Sequence, residues 1–225
     1  MKAMILAAGL GKRMRPLTTV RPKPLLKVNN KPLIDYHLER LALAGISEVV
    51  VNHYWLGEQI EAHIGDGSAY GLRVSYSRET ELLDTAGGMI NALPLLGDEP
   101  FLLVNGDVWC DFPVETLLAR RPEAAHLVMV DNPEHNERGD FFLDGEHLAL
   151  TGIRPLTYAG IAVINPELFA GSAPGCQPLK PFLVKAIERR SVTAEHFSGE
   201  WVDVGTPERL QELDNRVSQA AVPAT

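Results

Sequence analysis

Apolar residues in the first half of the chain follow two alternating rhythms. Short runs at Lys2 to Ala7, Glu48 to Asn52, Arg73 to Ser77 and Phe101 to Val104 have the length and bulk of buried strands. Between the first two, Leu33, Ile34, His37, Leu38 and Leu41 recur at helical spacing from Pro32 until Gly45, as expected where proline opens a helix and glycine ends it. Further helices are expected over about Leu56 to Ile64 and after Gly88. This βαβ series predicts an α/β fold with a doubly wound, mostly parallel sheet and a ligand crevice at the C-terminal ends of its strands.

The second half is less regular. Strands are expected near Ala125 to Val130, Phe141 to Leu143, Leu148 to Gly152 and Tyr158 to Ile164, with Asp144-Gly145 as a hairpin turn. Helices are expected over Leu179 to Arg189 and Pro207 to Gln219. The length of 225 residues suits one domain spanning residues 1–219, with residues 220–225 as a flexible C-terminal tail.

Composition narrows the function. With 45% hydrophobic and 22% charged residues the chain is ordinary globular material, which excludes an extended disordered region. The N-terminal apolar run is too short for a signal sequence or a membrane span, so a cytoplasmic protein without a membrane partner is expected. Cys110 and Cys176 form no CxxC pair, which argues against a disulfide framework or a zinc site; both are expected to be reduced, mostly buried thiols. The net charge of -8 argues against a general nucleic-acid-binding surface. Charge distribution adds more than the sum. No acidic residue precedes Asp35, yet that stretch holds eight of the 21 basic residues, as suits a local site for a small polyanion such as a nucleoside triphosphate.

The same stretch carries the segment LAAGLGKRMRPLT, Leu6 to Thr18, whose Gly9-Leu10-Gly11 core permits close backbone approach to phosphate oxygens. A dinucleotide fingerprint fails because residue 14 is Met, and a Walker loop fails because no Ser or Thr follows Lys12. Gly-x-Gly by itself is most often a tight turn. Its meaning comes from five further blocks in the same order: RPKPL at Arg21 to Leu25, ETELLDTAGG at Glu79 to Gly88, NGD at Asn105 to Asp107, YAGI at Tyr158 to Ile161 and WVDVGT at Trp201 to Thr206.

Together these six blocks resemble the sugar-1-phosphate nucleotidylyltransferase family across nearly the whole chain. The resemblance implies a Rossmann-like core of the nucleotidyltransferase and glycosyltransferase-A type, Mg²⁺ as cofactor, and attack of a sugar phosphate on the α-phosphorus of a nucleoside triphosphate. It implies that Ala8, Gly9, Gly11, Lys12 and Arg13 hold the triphosphate, with Arg13 stabilising charge on the leaving pyrophosphate. Lys23, on a backbone stiffened by Pro22 and Pro24, would serve as a catalytic cation at the α-phosphate or the sugar phosphate. Asp107 would be catalytic and a metal ligand, with Asp203 as the second carboxylate and Asn105 beside the nucleotide. Glu79, Asp84, Thr85 and Gly87 fall where the family surrounds the nucleobase, and Gly139, Asp140, Tyr158 and Gly160 where it contacts the sugar. Where many relatives have Glu-Lys-Pro before the YAGI-like strand, this chain has Ile153-Arg154-Pro155, which makes Arg154 a candidate sugar-phosphate anchor.

Within the family, the short length, the LLDTAGG block and Gly139-Asp140-Phe141 most resemble the branch that transfers uridylyl groups to N-acetylmuramate α-1-phosphate in peptidoglycan recycling. That implies UTP as donor; monomeric state is favoured. Guanylyl transfer to mannose-1-phosphate and thymidylyl transfer to glucose-1-phosphate are the rival chemistries. A nucleotide-sensing domain without catalysis is a further alternative, opposed by the presence together of Arg13, Lys23, Asp107 and Asp203.

Overall fold

The computed structural model describes residues 1–220, without the side chain of Ala220. The chain lays down β1 (Ala3–Leu6), a small hairpin of β2 (Lys27–Val28) and β3 (Lys31–Pro32), α1 (Leu33–Leu43), β4 (Glu48–His53), α2 (Gly57–Ile64), β5 (Arg73–Arg78), α3 (Asp84–Leu96) and β6 (Phe101–Asn105). It continues with β7 (Val108–Cys110), β8 (Ala125–Val130), β9 (Phe141–Asp144), β10 (His147–Ala149), β11 (Pro155–Ile164), α4 (Lys180–Glu188), β12 (Val192–Phe197), β13 (Trp201–Asp203) and α5 (Pro207–Ala220).

Nine strands form one sheet in the order β5-β4-β1-β6-β11-β8-β12-β10-β9. The first four pair in parallel, as the βαβ series requires. Beyond them the sheet is mixed: β11 runs antiparallel between β6 and β8, β12 is parallel to β8, and β9 pairs back onto the start of β11. The α/β, Rossmann-like expectation therefore holds, with parallel pairing concentrated in the N-terminal half.

Period-two alternation sends each strand's side chains to opposite faces. Ala3, Ile5, Val49, Val51, Leu102 and Val104 pack beneath α1 and α2 with Ile34, Leu38, Leu41 and Ile60. Met4, Val50, Phe101 and Leu103 face Ala86, Met89 and Ala92 of α3 and Leu183 and Ile187 of α4. A third cluster sets Met14, Leu26 and Val28 against Val204 and Leu213, and so anchors the cationic N-terminal segment to the C-terminal helix.

Several expectations change in detail. Helix α3 begins at Asp84 rather than after Gly88, because the Ala86 and Gly87 N–H groups donate to the Gln177 carbonyl, a cap supplied from far along the chain. The strand expected at Leu148 to Gly152 is His147–Ala149, and the last helix includes Ala220. The rest of the expected tail, 221–225, lies outside the described residues. Cys110 is buried but Cys176 is exposed, contrary to the expectation for both. Among the described residues no helix is long and apolar enough to cross a membrane.

Candidate active site

Two adjoining cavities open at the C-terminal ends of β1, β4 and β6 and beside the N-terminal half of the antiparallel β11. The first, about 250 Å³, is lined on one side by Leu6, Ala7, Ala8, Gly9 and Pro24 and on the other by Asn52, Glu79, Leu82, Asp84 and Thr85. The second, about 400 Å³, is more polar and includes Arg13, His135, Asn136, Asp140, Tyr158, Gly160, Trp201 and Asp203. Asn105 and Asp107 line both, and Lys23 lines the first.

The floor of the first cavity is a buried polar relay. The Asn52 side chain accepts from Ala7 N–H at 2.9 Å and donates to Glu79 Oε1 at 2.7 Å. Glu79 Oε2 accepts from Leu83 N–H. Burial raises the Glu79 carboxyl above its ordinary range, and the bond from Asn52 pulls it back. The relay ties the glycine-rich loop to the segment that enters α3, so both walls keep a fixed spacing. Sequence reading singled out Glu79 but missed Asn52, whose place in an apolar strand gives no motif.

Gly11 sits at φ +58, and a Cβ there would stand 2.7 Å from Thr18 Cγ2; glycine is the residue that adopts this left-handed turn without strain. The Thr18 hydroxyl closes the turn by donating to the Gly11 carbonyl at 2.7 Å. The turn buries Met14 and leaves Arg13 exposed, lining the second cavity. Gly11 and Lys12 line neither cavity: Gly11 shapes the loop, and Lys12 stands exposed beside it.

Lys23 lies in a single helical turn, Lys23–Leu25, whose first residue follows Pro22. Its Nζ meets Asp107 Oδ2 at 2.5 Å, with the lysine side chain 10% exposed and the aspartate 36%. Asp107 follows β6 and precedes β7. Strand β7 pairs antiparallel with β13, placing Asp203 opposite Val108, and the Asp107 carbonyl accepts from Val204 N–H at 2.9 Å. This two-stranded ribbon brings together two carboxylates that are far apart in sequence. Asp203 Oδ2 also accepts from Arg209 at 2.9 Å and lies 3.3 Å from His135 Nε2. No group of three or more His, Cys, Asp or Glu side chains suited to a metal occurs among the described residues. Two neighbouring carboxylates fit Mg²⁺, which takes one or two of them and completes its shell with water and substrate phosphate.

In the second cavity, Gly160 at φ +76 forms the irregularity in β11, and its Cα lies so near Asn105 that a Cβ would stand 2.7 Å from that side chain. Asp140 accepts from Tyr158 N–H at 2.9 Å. Asn105 Oδ1 and Tyr158 Oη are buried without hydrogen-bond partners among the described residues. Buried polar atoms are rarely left so; Asn105 and Tyr158 line the second cavity with other atoms. His135, Asn136, Thr157 and Arg209 had no signal in the sequence, since each reaches the site through long-range contacts; Trp201 opens the WVDVGT block but carried no role there.

Three expected contacts fall elsewhere. Gly139 packs against Asn132 and Leu156, and Gly87 against the Gly175 carbonyl, so both shape the backbone behind the cavities. Arg154 is 74% exposed, pairs with Asp131 at 2.8 Å, and lines a separate surface cleft with Ile153 and His196. It does not reach the second cavity's lining, because residues 150–154 turn outward and leave Ile153 fully exposed. Arg154→Ala should change kcat and the KM for sugar phosphate by less than about two-fold, the usual outcome for an exposed ion pair remote from the site; initial-rate kinetics checks this.

Behind the ribbon, His37 of α1 is buried, and its Nε2 has no hydrogen-bond partner among the described residues; burial, aided by the nearby Arg40 charge, lowers its pKa from 6.5 to about 4. A depressed folded-state value means stability that is present above the unfolded pKa and lost as pH falls through the folded one. The window runs from pH 6.5 down to about 4. It is worth roughly 3 kcal/mol, taking about 1.4 kcal/mol per unit. Urea unfolding of His37→Gln at pH 7 and pH 5 should show a smaller acid loss than the unaltered protein; an equal loss would remove His37 as its source.

The chain's relatives match this architecture. It is 49% identical over 226 aligned residues to the N-acetylmuramate alpha-1-phosphate uridylyltransferase of Neisseria meningitidis, covering 94% of this chain and 96% of the relative. It is 34% identical to the enzyme of the same name from Caulobacter vibrioides, covering 97% of each. Among solved structures, a Bacillus anthracis protein crystallised with sucrose and assigned as a glucose-1-phosphate thymidylyltransferase superposes with a TM-score of 0.87 at 19% identity, over 100% of this chain and 97% of that one. Residues 2–141, which include the glycine-rich loop, Lys23 and Asp107, match the model of the nucleotidyl transferase family, and the chain belongs to that family.

Proposed function

We propose that the protein transfers a uridylyl group from UTP to N-acetylmuramate α-1-phosphate, forming UDP-N-acetylmuramic acid and pyrophosphate. The observation that carries this reading is the 49% identity to a uridylyltransferase of that specificity over nearly the full length of both chains. Two cavities sharing Asn105 and Asp107 support it, since the reaction needs a nucleotide and a sugar phosphate held end to end.

The first cavity takes the base and ribose between the glycine-rich loop and the Leu82 to Thr85 wall, and the second takes the acceptor sugar. The acceptor's phosphate, with its second pKa of about 6, arrives as a dianion at neutral pH and needs no general base. One of its oxygens attacks the α-phosphorus as the bond to pyrophosphate breaks. Lys23 neutralises the two phosphates that would otherwise repel, and Arg13 balances charge on the departing pyrophosphate. Asp107 and Asp203 would hold Mg²⁺, which supplies further neutralisation of phosphate oxygens. Asn105 and Tyr158 orient the acceptor sugar, and alignment of attacking and leaving oxygens supplies much of the remaining rate.

The test is pyrophosphate release with four nucleoside triphosphates against the α-1-phosphates of N-acetylmuramate, mannose and glucose, with and without Mg²⁺. UTP with N-acetylmuramate α-1-phosphate, dependent on Mg²⁺, should give the highest kcat/KM. Preference for GTP with mannose-1-phosphate or dTTP with glucose-1-phosphate would replace the substrate reading, and no release with any pair would favour a sensing domain.

A further inference from the structure

We propose that Arg40 is a positioning residue of the active site: from α1 it holds the backbone of the ribbon that carries Asp107 and Asp203. The inference rests on the functional reading above. Apart from His37, the rest of the inner face of α1 is apolar, with Leu33, Ile34, Leu38 and Leu41 in the core. A guanidinium placed there gives up hydration and needs partners. Arg40 is half-buried, and burial lowers its pKa from the ordinary value. Its two terminal nitrogens donate to the carbonyls of Cys110 and Phe112. Three residues earlier on the same helix face, the buried His37 lines the same small gap as Arg40 and Cys110.

Cys110 and Phe112 are alternate residues, so one side chain of α1 grips two successive carbonyls on one edge of the chain. Among the described residues β7 pairs only with β13, and a two-stranded ribbon is marginal alone. The clamp supplies what a third strand would. Asp107 directly precedes β7, and Asp203 is paired with its first residue. At its other end α1 is tied to the Lys23 turn, with Leu33 N–H donating to the Leu26 carbonyl at 2.9 Å. One rigid helix thus sets the distance between the catalytic lysine and both carboxylates.

Arg40→Met keeps the bulk and removes the donors; Arg40→Lys keeps one charge. For Arg40→Met, kcat should fall about 10- to 100-fold, the usual cost of losing an outer partner of a metal site, while KM for UTP changes less than about three-fold. Mn²⁺ binding, read by electron paramagnetic resonance with a non-hydrolysable UTP analogue, should weaken by about ten-fold. Arg40→Lys should recover part of both. In an Asp107→Ala background Arg40→Met should lower kcat by less than about two-fold, because residues acting as a unit are not additive. Unchanged Mn²⁺ binding and kcat in Arg40→Met, with only a lower Tm, would overturn the proposal. So would multiplying effects in the double variant. If Arg40→Met does not fold, Arg40→Lys decides by the same two readouts. If the unaltered protein turns over no substrate pair, the functional reading fails and Mn²⁺ binding still tests the clamp.

Discussion

Lys23→Met is expected to lower kcat about 10²-fold, the effect of removing one preorganised donor from a developing charge, while leaving thermal stability unchanged. The two halves follow from one ion pair with unequal burial. The Lys23 side chain is 10% exposed and Asp107 is 36% exposed. Methionine fills the lysine's volume without a charge to desolvate, and the remaining aspartate reaches water. Substituting apolar bulk for a buried charge is often neutral or stabilising, so Tm should stay within about 2 °C, the shift that roughly 0.5–1 kcal/mol gives at this chain length. Under the proposed mechanism catalysis has no such substitute, because an ammonium fixed beside the α-phosphate would stabilise charge without waiting for water to reorganise. kcat and kcat/KM should fall together, as they do when an interaction made only in the transition state is lost. Pyrophosphate-release kinetics and a melting curve on one preparation check both. Unchanged turnover would make Lys23 a structural partner of Asp107 and nothing more.

That pair also shows how far the sequence could be read. Lys23 between two prolines and Asp107 after an apolar strand were both legible as candidates, because each depends on a local pattern: a proline-stiffened turn, and the end of a central strand. The parallel half of the sheet was legible for the same reason, since strand and helix periods alternate without interruption. The residues that were missed reach the site by distant pairing. Arg209 arrives because α5 packs on the N-terminal segment, and Asn52 because its amide spans β1 and β5-side loops. Arg154 stands outside both cavities for the opposite reason. Its place in the order of blocks suggested a sugar-phosphate anchor, but the outward turn at residues 150–154 depends on how β9, β10 and β11 close on one another, which no local spacing encodes. Asp84 shows a third case: a Gly-Gly pair reads as a weak helix start, and only the distant Gln177 carbonyl moves that start to Asp84.

Asp107→Ala inverts the stability argument. It removes the exposed partner and leaves the lysine ammonium buried with no acceptor from this pair, and a buried donor stripped of its partner costs about 1–3 kcal/mol. Tm should therefore fall by roughly 3–10 °C at this length, where Lys23→Met leaves it in place. kcat should fall at least about 10²- to 10³-fold, because the variant loses one of two carboxylates suited to Mg²⁺ and the group that aims Lys23. The decisive measurement is the double variant Lys23→Met/Asp107→Ala. With no ammonium left to strand, it should recover most of the lost Tm while remaining as inactive as Asp107→Ala alone. Rescue of stability without rescue of turnover separates the two roles of the pair, which couple because they share one contact. If Asp107→Ala melts with the unaltered protein, Lys23 has another acceptor within reach, and the burial asymmetry ceases to explain why the lysine is held where it is.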